Sequence, residues 1–94
     1  MISKIAVATT ATLVSAAKER QWLMIQNQSD TPIFLSFDGT DSVTIDSGAT
    51  PGIRLASYET ILSTDIAGRF SGNNAAIYAI HGGVGTKNLA VHEA

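Results

Sequence analysis

The chain has 94 residues, of which 45% are hydrophobic and 15% are charged, with a formal net charge of −2 and no cysteine. This length suits one domain, and the composition excludes a disordered chain, a disulfide scaffold and a thiolate metal site. The 6 Lys and Arg residues are scattered, which disfavours nucleic-acid binding because no basic stripe can neutralise successive phosphates.

Small size and low charge together predict an assembled protein. A domain of this length buries little more than roughly 60% of the surface that its unfolded chain exposes, so its own core gives marginal stability. Without disulfides, association with other chains is the expected supplement. A surface poor in charge also favours association, because mixed charge is what keeps free monomers apart.

Residues 1–20 combine Lys4 with a mostly apolar stretch, a pattern that partly resembles a secretory signal. Thr9, Thr10 and Thr12 interrupt the apolar stretch, so we expect no signal peptide. No segment reaches the ~18 continuous apolar residues of a membrane helix, and no membrane partner is expected.

The N-terminal residues 1–14 have strand character. Ile5 and Val7 alternate with small or polar residues, and the threonines that follow also suit a pleated strand. We predict that this segment is an edge strand, or an extended arm that adds a strand to a neighbouring chain.

The strongest strand patterns are residues 20–26 and 33–37, which flank a polar turn at 27–31. Pro32 suits the first position of the returning strand, where a missing N–H is tolerated. We therefore predict a β-hairpin with five apolar side chains on its core face. These are Leu23, Ile25, Ile33, Leu35 and Phe37.

Three large side chains point to the opposite face of this predicted hairpin: Trp22, Met24 and Phe34. They need a second cover, which another sheet, the N-terminal arm or a neighbouring subunit could provide.

Further short strands are predicted along the rest of the chain. They fall near residues 43–45, 53–55, 58–62, 68–70, 75–81 and 89–91, with turn-forming residues between them. About eight short strands at this spacing indicate a single-domain antiparallel β-sandwich or barrel without internal repeats.

The glycine-rich run HGGVGTK at 81–87 is the one segment that resembles a phosphate-binding loop. The Walker pattern needs Gly-Lys-Ser/Thr before a helix, whereas Gly85, Thr86 and Lys87 precede a strand pattern. We therefore predict a hairpin turn here and no cofactor.

Metal and catalytic sites are also not predicted. Asp38, Asp41 and Asp46 lack the spacing of a calcium loop and are common turn formers. His81 and His92 have no third ligand implied by spacing. The serines lie in no nucleophile elbow, so we expect no enzyme, although a small hydrolase with a convergent pocket stays an alternative.

The aromatic residues allow one binding alternative. Trp22, Phe34, Tyr58 and Tyr78 could form a sugar-binding platform, as in a small carbohydrate-binding module. A core or interface role is favoured, because large aromatic side chains dominate the energetics of both.

Four sequence features extend over most of the chain: a threonine-rich N-terminal strand, an Arg-x-x-Leu-x-Ile-x-Asn strand, a Gly-x-x-x-Gly turn and a terminal Val-x-Glu. The residues concerned are Arg20, Leu23, Ile25, Asn27, Gly48, Gly52, Val91 and Glu93. In these features the chain resembles small structural proteins encoded in the morphogenesis regions of tailed bacteriophages.

This resemblance implies a virion component assembled in the host cytoplasm. A head decoration or cement protein is the first expectation, and a tail or fibre-associated protein is the second. The expected partners are further copies of the chain, as a trimer, and the major capsid protein or another virion protein. No catalytic residues are implied. The hypothesised contact residues are Ile2, Ile5, Val7, Trp22, Met24 and Phe34.

Overall fold

The described part of the chain is an all-β domain. The computed structural model describes residues 2–20, 22–62 and 75–94, which contain eight strands and no helix. The strands are β1 (Ile2–Val7), β2 (Thr12–Ser15), β3 (Leu23–Asn27), β4 (Ile33–Ser36), β5 (Ile53–Leu55), β6 (Thr60–Leu62), β7 (Ile77–His81) and β8 (Lys87–Glu93). The strand predicted at 68–70 lies outside the described residues.

The strands form two four-stranded antiparallel sheets. Sheet A has the order β1-β8-β3-β6 and sheet B has the order β2-β7-β4-β5. The strands at equivalent positions of the two sheets are therefore neighbours in the sequence: β1 and β2, β8 and β7, β3 and β4, and β6 and β5. This is the strand order of a jelly roll, and it confirms the sandwich rather than the barrel.

The polar turn at 27–31 does not close a hairpin, so that prediction is wrong. β3 belongs to sheet A and β4 to sheet B, so the chain crosses from one sheet to the other. The hairpin turn predicted for the glycine-rich segment 81–87 is also wrong, because β7 and β8 lie in different sheets and this segment crosses between them. Among the described connections, only β4 and β5 are consecutive strands that pair with each other.

The core lies between the two sheets and follows the predicted alternation. In β3 the exposure alternates so that Leu23 and Ile25 are buried while Met24 is half-buried. The five side chains predicted for the core face all belong to one buried cluster. Most of the remaining members of this cluster are Val7, Leu55, Ile77, Leu89 and Val91. An antiparallel sandwich buries one face of each sheet in this way.

Within the segment predicted as an edge strand or arm, residues 2–14 supply edge strands of both sheets in this structure. β1 pairs with β8 along its length, from Ile2 opposite His92 to Val7 opposite Lys87. β2 is the edge of sheet B and contains a register shift between Leu13 and Ser15. Of the two forms predicted for this segment, the structure has the edge strand.

The strand predicted at 43–45 is wrong, because the residues between β4 and β5 form a long loop. Its regular pairing is limited to a single parallel bridge between Thr44 and Pro51. Within this loop the Thr44 N–H donates to the Thr50 carbonyl at 2.9 Å, and the Thr44 side chain accepts the Thr50 N–H at 3.2 Å. Local side-chain bonds of this kind compete with a ladder.

The crossing from β3 to β4 is fixed by a neutral buried cluster, which we call the Asn27 corner (Asn27, Ser29, Thr31 and Leu55). Asn27 is fully buried, and its amide donates to the carbonyls of Thr31 at 2.8 Å and Leu55 at 3.0 Å. The Ser29 hydroxyl donates to the Asn27 side-chain oxygen at 2.7 Å. The corner therefore ties the end of β3 to sheet B through Leu55.

Candidate interaction surface

The six hypothesised contact residues separate into surface and interior positions. Ile2 is 73% exposed and Trp22 is 41% exposed, while Ile5 and Met24 are half-buried. Val7 and Phe34 are buried within the chain. The exposed candidates therefore lie on sheet A, and Phe34 is covered without a neighbouring subunit.

Three strand pairings bring Ile2, Met24 and Leu62 into one row with His92 on the outer face of sheet A. Ile2 lies opposite His92, His92 lies opposite Met24, and Met24 lies opposite Leu62. Residues directly opposite on antiparallel strands point to the same face. The row therefore crosses all four strands of the sheet.

Trp22 lies beside this row, next to Met24 on the same face. Its backbone exchanges hydrogen bonds with Ala94, with N···O distances of 3.3 and 3.1 Å, which continues the pairing of β3 with β8. Trp22 precedes Met24 by two positions and so points to the same face. We call this set the outer stripe: Ile2, Trp22, Met24, Leu62 and His92.

The outer face of sheet A carries little charge. Its remaining outward residues in the described strands are Lys4, Ala6, Gln26, Thr60, Asn88 and Ala90. Lys4 is the single Lys, Arg, Asp or Glu residue among them. A face with one Lys and a row formed by three large apolar side chains and His92 is suited to contact with another protein surface.

A charged cluster, which we call the Arg20 cluster, lies where β8 ends and β3 begins. It consists of Ser15, Lys18, Arg20 and Glu93. The buried Arg20 guanidinium donates to Glu93 Oε2 at 3.0 Å and to Ser15 Oγ at 2.9 Å. It also donates to the carbonyls of Ala16 at 2.8 Å and Ala75 at 2.9 Å.

Glu93 is the carboxylate of the Arg20 cluster. It accepts hydrogen bonds from the Ser15 hydroxyl at 3.2 and 3.3 Å and is paired with Lys18. Although partial burial opposes its ionisation, the hydrogen bonds from Lys18 and Arg20 hold the pKa of Glu93 below its usual value. The cluster is built to hold a charged carboxylate against a buried guanidinium, which makes it a structural clasp.

The glycine-rich loop after β7 is occupied by its own histidine. The buried His81 ring accepts the Gly83 backbone N–H at Nδ1 at 3.0 Å, so Nε2 carries the proton and donates to the Gly85 carbonyl at 2.7 Å. The Gly83 N–H is thus used within the loop and does not face a phosphate.

The aspartates considered for calcium serve turns. Asp38 Oδ1 accepts the Thr40 hydroxyl at 2.6 Å, the Thr40 N–H at 3.0 Å and the Ser36 hydroxyl at 2.9 Å. The side-chain and backbone hydrogen bonds from Thr40 lower the pKa of Asp38. Within residues 2–20, 22–62 and 75–94, no three metal-ligating side chains are grouped.

A shallow cleft of about 290 Å³ lies between β4 and the loop that follows it. Leu35, Phe37, Val43 and Ile53 line it together with Asp38. The loop reaches this position because Gly52 has no side chain: a Cβ there would lie 2.7 Å from the Leu35 nitrogen. The Asp38 carboxylate in this lining already accepts hydrogen bonds from Thr40 and Ser36. We therefore attribute the cleft to the packing of the loop against β4.

Leu62 and His92 were missed by sequence reasoning as members of the outer stripe. Nothing in the local pattern of β6 or β8 distinguishes their outward residues from ordinary surface positions. The signal that identifies them is the pairing register, which places both beside Met24.

No protein-family model, curated protein or solved structure matches this chain. No helix in the described segments is long and apolar enough to cross a membrane.

Proposed function

We propose that the protein is a non-enzymatic virion structural protein that decorates and stabilises a bacteriophage head. It works by docking the outer face of sheet A on other virion proteins, the major capsid protein first among them. The outer stripe is the observation that carries the proposal, because a four-stranded face with exposed Ile2 and Trp22 and a single cation suits a protein partner.

The jelly-roll order is a second support. Jelly rolls occur in viral capsid proteins, and also in lectins and cupins. A fold alone does not determine function, so the proposal depends on the surface and takes the fold as compatible background. The sequence resemblance to phage morphogenesis proteins favours the capsid context over the others.

A carbohydrate-binding module is less well supported by the geometry. Trp22 lies on the outer face of sheet A, whereas Tyr78 lies on β7 in sheet B and Tyr58 lies in the β5–β6 connection. Phe34 is buried. A sugar platform needs its rings on one surface, and these rings are distributed over several.

The location is tested by labelling purified phage particles with an antibody against this protein and imaging them by negative stain. Label over the head is expected. Label confined to the tail would replace head decoration by the tail-associated role, and particles that lack the protein would overturn the virion function.

The contact surface is tested by a matched pair of substitutions on β3. Met24→Lys places a charge within the outer stripe, and Gln26→Lys places the same charge on the same face outside it. We expect Met24→Lys to reduce incorporation into particles at least roughly tenfold, as for a residue near the centre of an interface, and Gln26→Lys to leave it near wild type.

Circular dichroism melting of both lysine variants checks that each is folded. Equal incorporation of the two folded variants would remove the outer stripe from the proposal.

A further inference from the structure

The four sheet edges are protected to very different degrees. β5 and β6 have three residues each, and β5 carries Arg54. β2 is interrupted by the register shift between Leu13 and Ser15. Short length, charge and bulges are the devices that prevent edge strands from pairing with other chains.

β1 has none of these protections except one charge. It is six residues long, contains no proline, and keeps an unbroken register with β8 from Ile2 to Val7. Lys4 is its only charged residue. A long regular edge strand is a template for another strand.

The pairing of β3 with β8 determines which backbone groups of β8 face β1. Trp22 and Ala94 exchange hydrogen bonds, and the Gln28 N–H donates to Asn88 O at 3.0 Å. Bonded pairs alternate along an antiparallel ladder. The even-numbered residues of β8 therefore face β3, and the odd-numbered residues from 87 to 93 face β1.

The free side of β1 follows from this alternation. The odd-numbered β8 residues lie opposite Ser3, Ile5 and Val7, so the N–H and C=O groups of these three residues are used within sheet A. The backbone groups of Ile2, Lys4 and Ala6 point away from the sheet. Three consecutive bonding positions are thus presented along one edge.

We propose that two copies of the protein associate by antiparallel pairing of β1 with β1, around a two-fold axis at Ile5. The inference rests on the proposed function of an assembling subunit and adds a second copy of the chain as a partner at the β1 edge. The paired edges join two A sheets into one eight-stranded sheet, and the outer stripes of both copies lie on the same side of it.

A second copy fits this edge because the pairing is self-complementary in backbone and side chains. An antiparallel strand pair has two-fold symmetry, so the same bonding positions serve both copies. Ile5 is half-buried and packs against the core cluster. At the axis it meets Ile5 of the second copy in a close, non-hydrogen-bonded pair, which continues the core across the interface.

Charge repulsion favours the register centred on Ile5 over the alternative register centred on Lys4. Pairing centred on Lys4 would place two Lys4 side chains directly opposite each other, which is unfavourable. Pairing centred on Ile5 places Lys4 opposite Ala6 of the second copy, twice by symmetry. These two bonded pairs supply about four backbone hydrogen bonds.

The association is expected to be weak and dependent on concentration. A single strand pair buries less than the roughly 1,200 Å² of a stable interface, so we expect a dissociation constant above roughly 1 μM. Such a contact suits a subunit that is also held on a larger particle, where neighbouring copies are close together.

The edge pairing is tested by sedimentation equilibrium of the purified chain with Ala6→Pro and its control Ala6→Ser. The proline removes an outward N–H and leaves the bonds to β8, whereas serine keeps that N–H. Wild type and Ala6→Ser are expected to dimerise, and Ala6→Pro is expected to stay monomeric with a circular dichroism spectrum near wild type.

The register is tested by Ala6→Glu and Ala6→Lys, which place opposite charges beside Lys4 of the second copy. We expect glutamate to tighten the dimer and lysine to weaken it, each by roughly two- to thirtyfold for two symmetric pairs. Equal effects of the two charges would overturn pairing centred on Ile5.

A wild-type chain that remains monomeric up to roughly 1 mM would overturn the dimer itself. That result can be distinguished from failure of the proposed function. A monomer that still labels phage heads loses only the edge pairing, and a dimer absent from particles loses only the virion role.

Discussion

The two ends of β3 are both held by buried polar clusters, but by different chemistry. The Arg20 cluster joins the start of β3 to the last residue of β8 through a charged guanidinium and carboxylate. The Asn27 corner joins the end of β3 to sheet B through neutral groups. Both are fully hydrogen-bonded: no buried side-chain nitrogen or oxygen in the described residues is left without a partner.

The charged cluster and the neutral corner are expected to differ in the free energy lost when each is broken. An ionic cluster is costly to break, because the surviving partner is left as an uncompensated buried charge, and its stability depends on pH. A neutral cluster loses less when broken and has no titrating group. The charged end of β3 is therefore expected to be the more sensitive end.

The largest effect is expected for Glu93→Ala. Removing the carboxylate deprives the buried Arg20 guanidinium of its ion pair with Glu93, which is expected to reduce the free energy of unfolding by about 3–5 kcal/mol. Urea denaturation measures this loss. The double variant Arg20→Met with Glu93→Leu is expected to lose less than Glu93→Ala alone, and a larger loss would contradict the ionic account.

A smaller effect is expected for Asn27→Ala at the neutral end. The substitution leaves the Thr31 and Leu55 carbonyls without their amide donor and is expected to cost about 1–3 kcal/mol. Gln26→Ala, one residue earlier on the outer face, is the control and is expected to stay within about 0.5 kcal/mol of wild type. A control that is as damaging as Asn27→Ala would show that the corner is not the cause.

The pH dependence is expected to sharpen the contrast between the two ends. The folded pKa of Glu93 lies below its usual value of 4.5, so its contribution is complete above that value and is lost as the pH falls through the folded pKa. The loss is expected to be smaller than for Glu93→Ala, because a neutral carboxyl still accepts hydrogen bonds.

Urea denaturation at neutral pH and in the acid range below 4.5 measures this pH effect. Glu93→Gln is expected to flatten the slope only in part, because the pKa values of Asp30 and Asp38 are also lowered and both still contribute to it. Asn27→Ala is expected to keep the wild-type slope. A slope unchanged by Glu93→Gln would remove Glu93 as its source.

The smallest effect is expected for Lys18→Ala. Lys18 pairs with Glu93, but its side chain is 44% exposed, and exposed ion pairs contribute at most about 1 kcal/mol. Added salt is expected to reduce the difference from wild type further. A loss comparable to that of Glu93→Ala would mean that Lys18, and not the buried Arg20, carries the cluster.

Strand alternation predicted five core side chains of β3, β4 and the residue that follows β4. Leu23, Ile25 and Leu35 occupy the predicted buried positions because period two fixes which side chains share a face, whatever the strand pairs with. The same pattern could not predict partners. Residues 27–31 have turn composition, but a turn to the adjacent strand and a crossing to the opposite sheet use the same residue types.

The polar clusters and the outer stripe lay beyond sequence reasoning because their members are far apart in the chain. Arg20 and Glu93 are separated by 73 residues, and Met24 meets Leu62 only through the pairing of β3 with β6. Trp22 and Met24 were correctly assigned to the face opposite the core, whereas the internal cover of Phe34 depends on tertiary packing.

The central position of β8 in sheet A has a consequence for biosynthesis. β8 lies between β1 and β3, so the pair that β3 forms with β6 cannot be joined to β1 until the ribosome has translated residues 87–93. Until then the nascent chain exposes Leu23 and Ile25 together with unpaired strand edges, a condition that favours aggregation and chaperone binding. Sheet A is therefore completed only after residues 87–93 have been synthesised, and non-local pairing of this kind is slow.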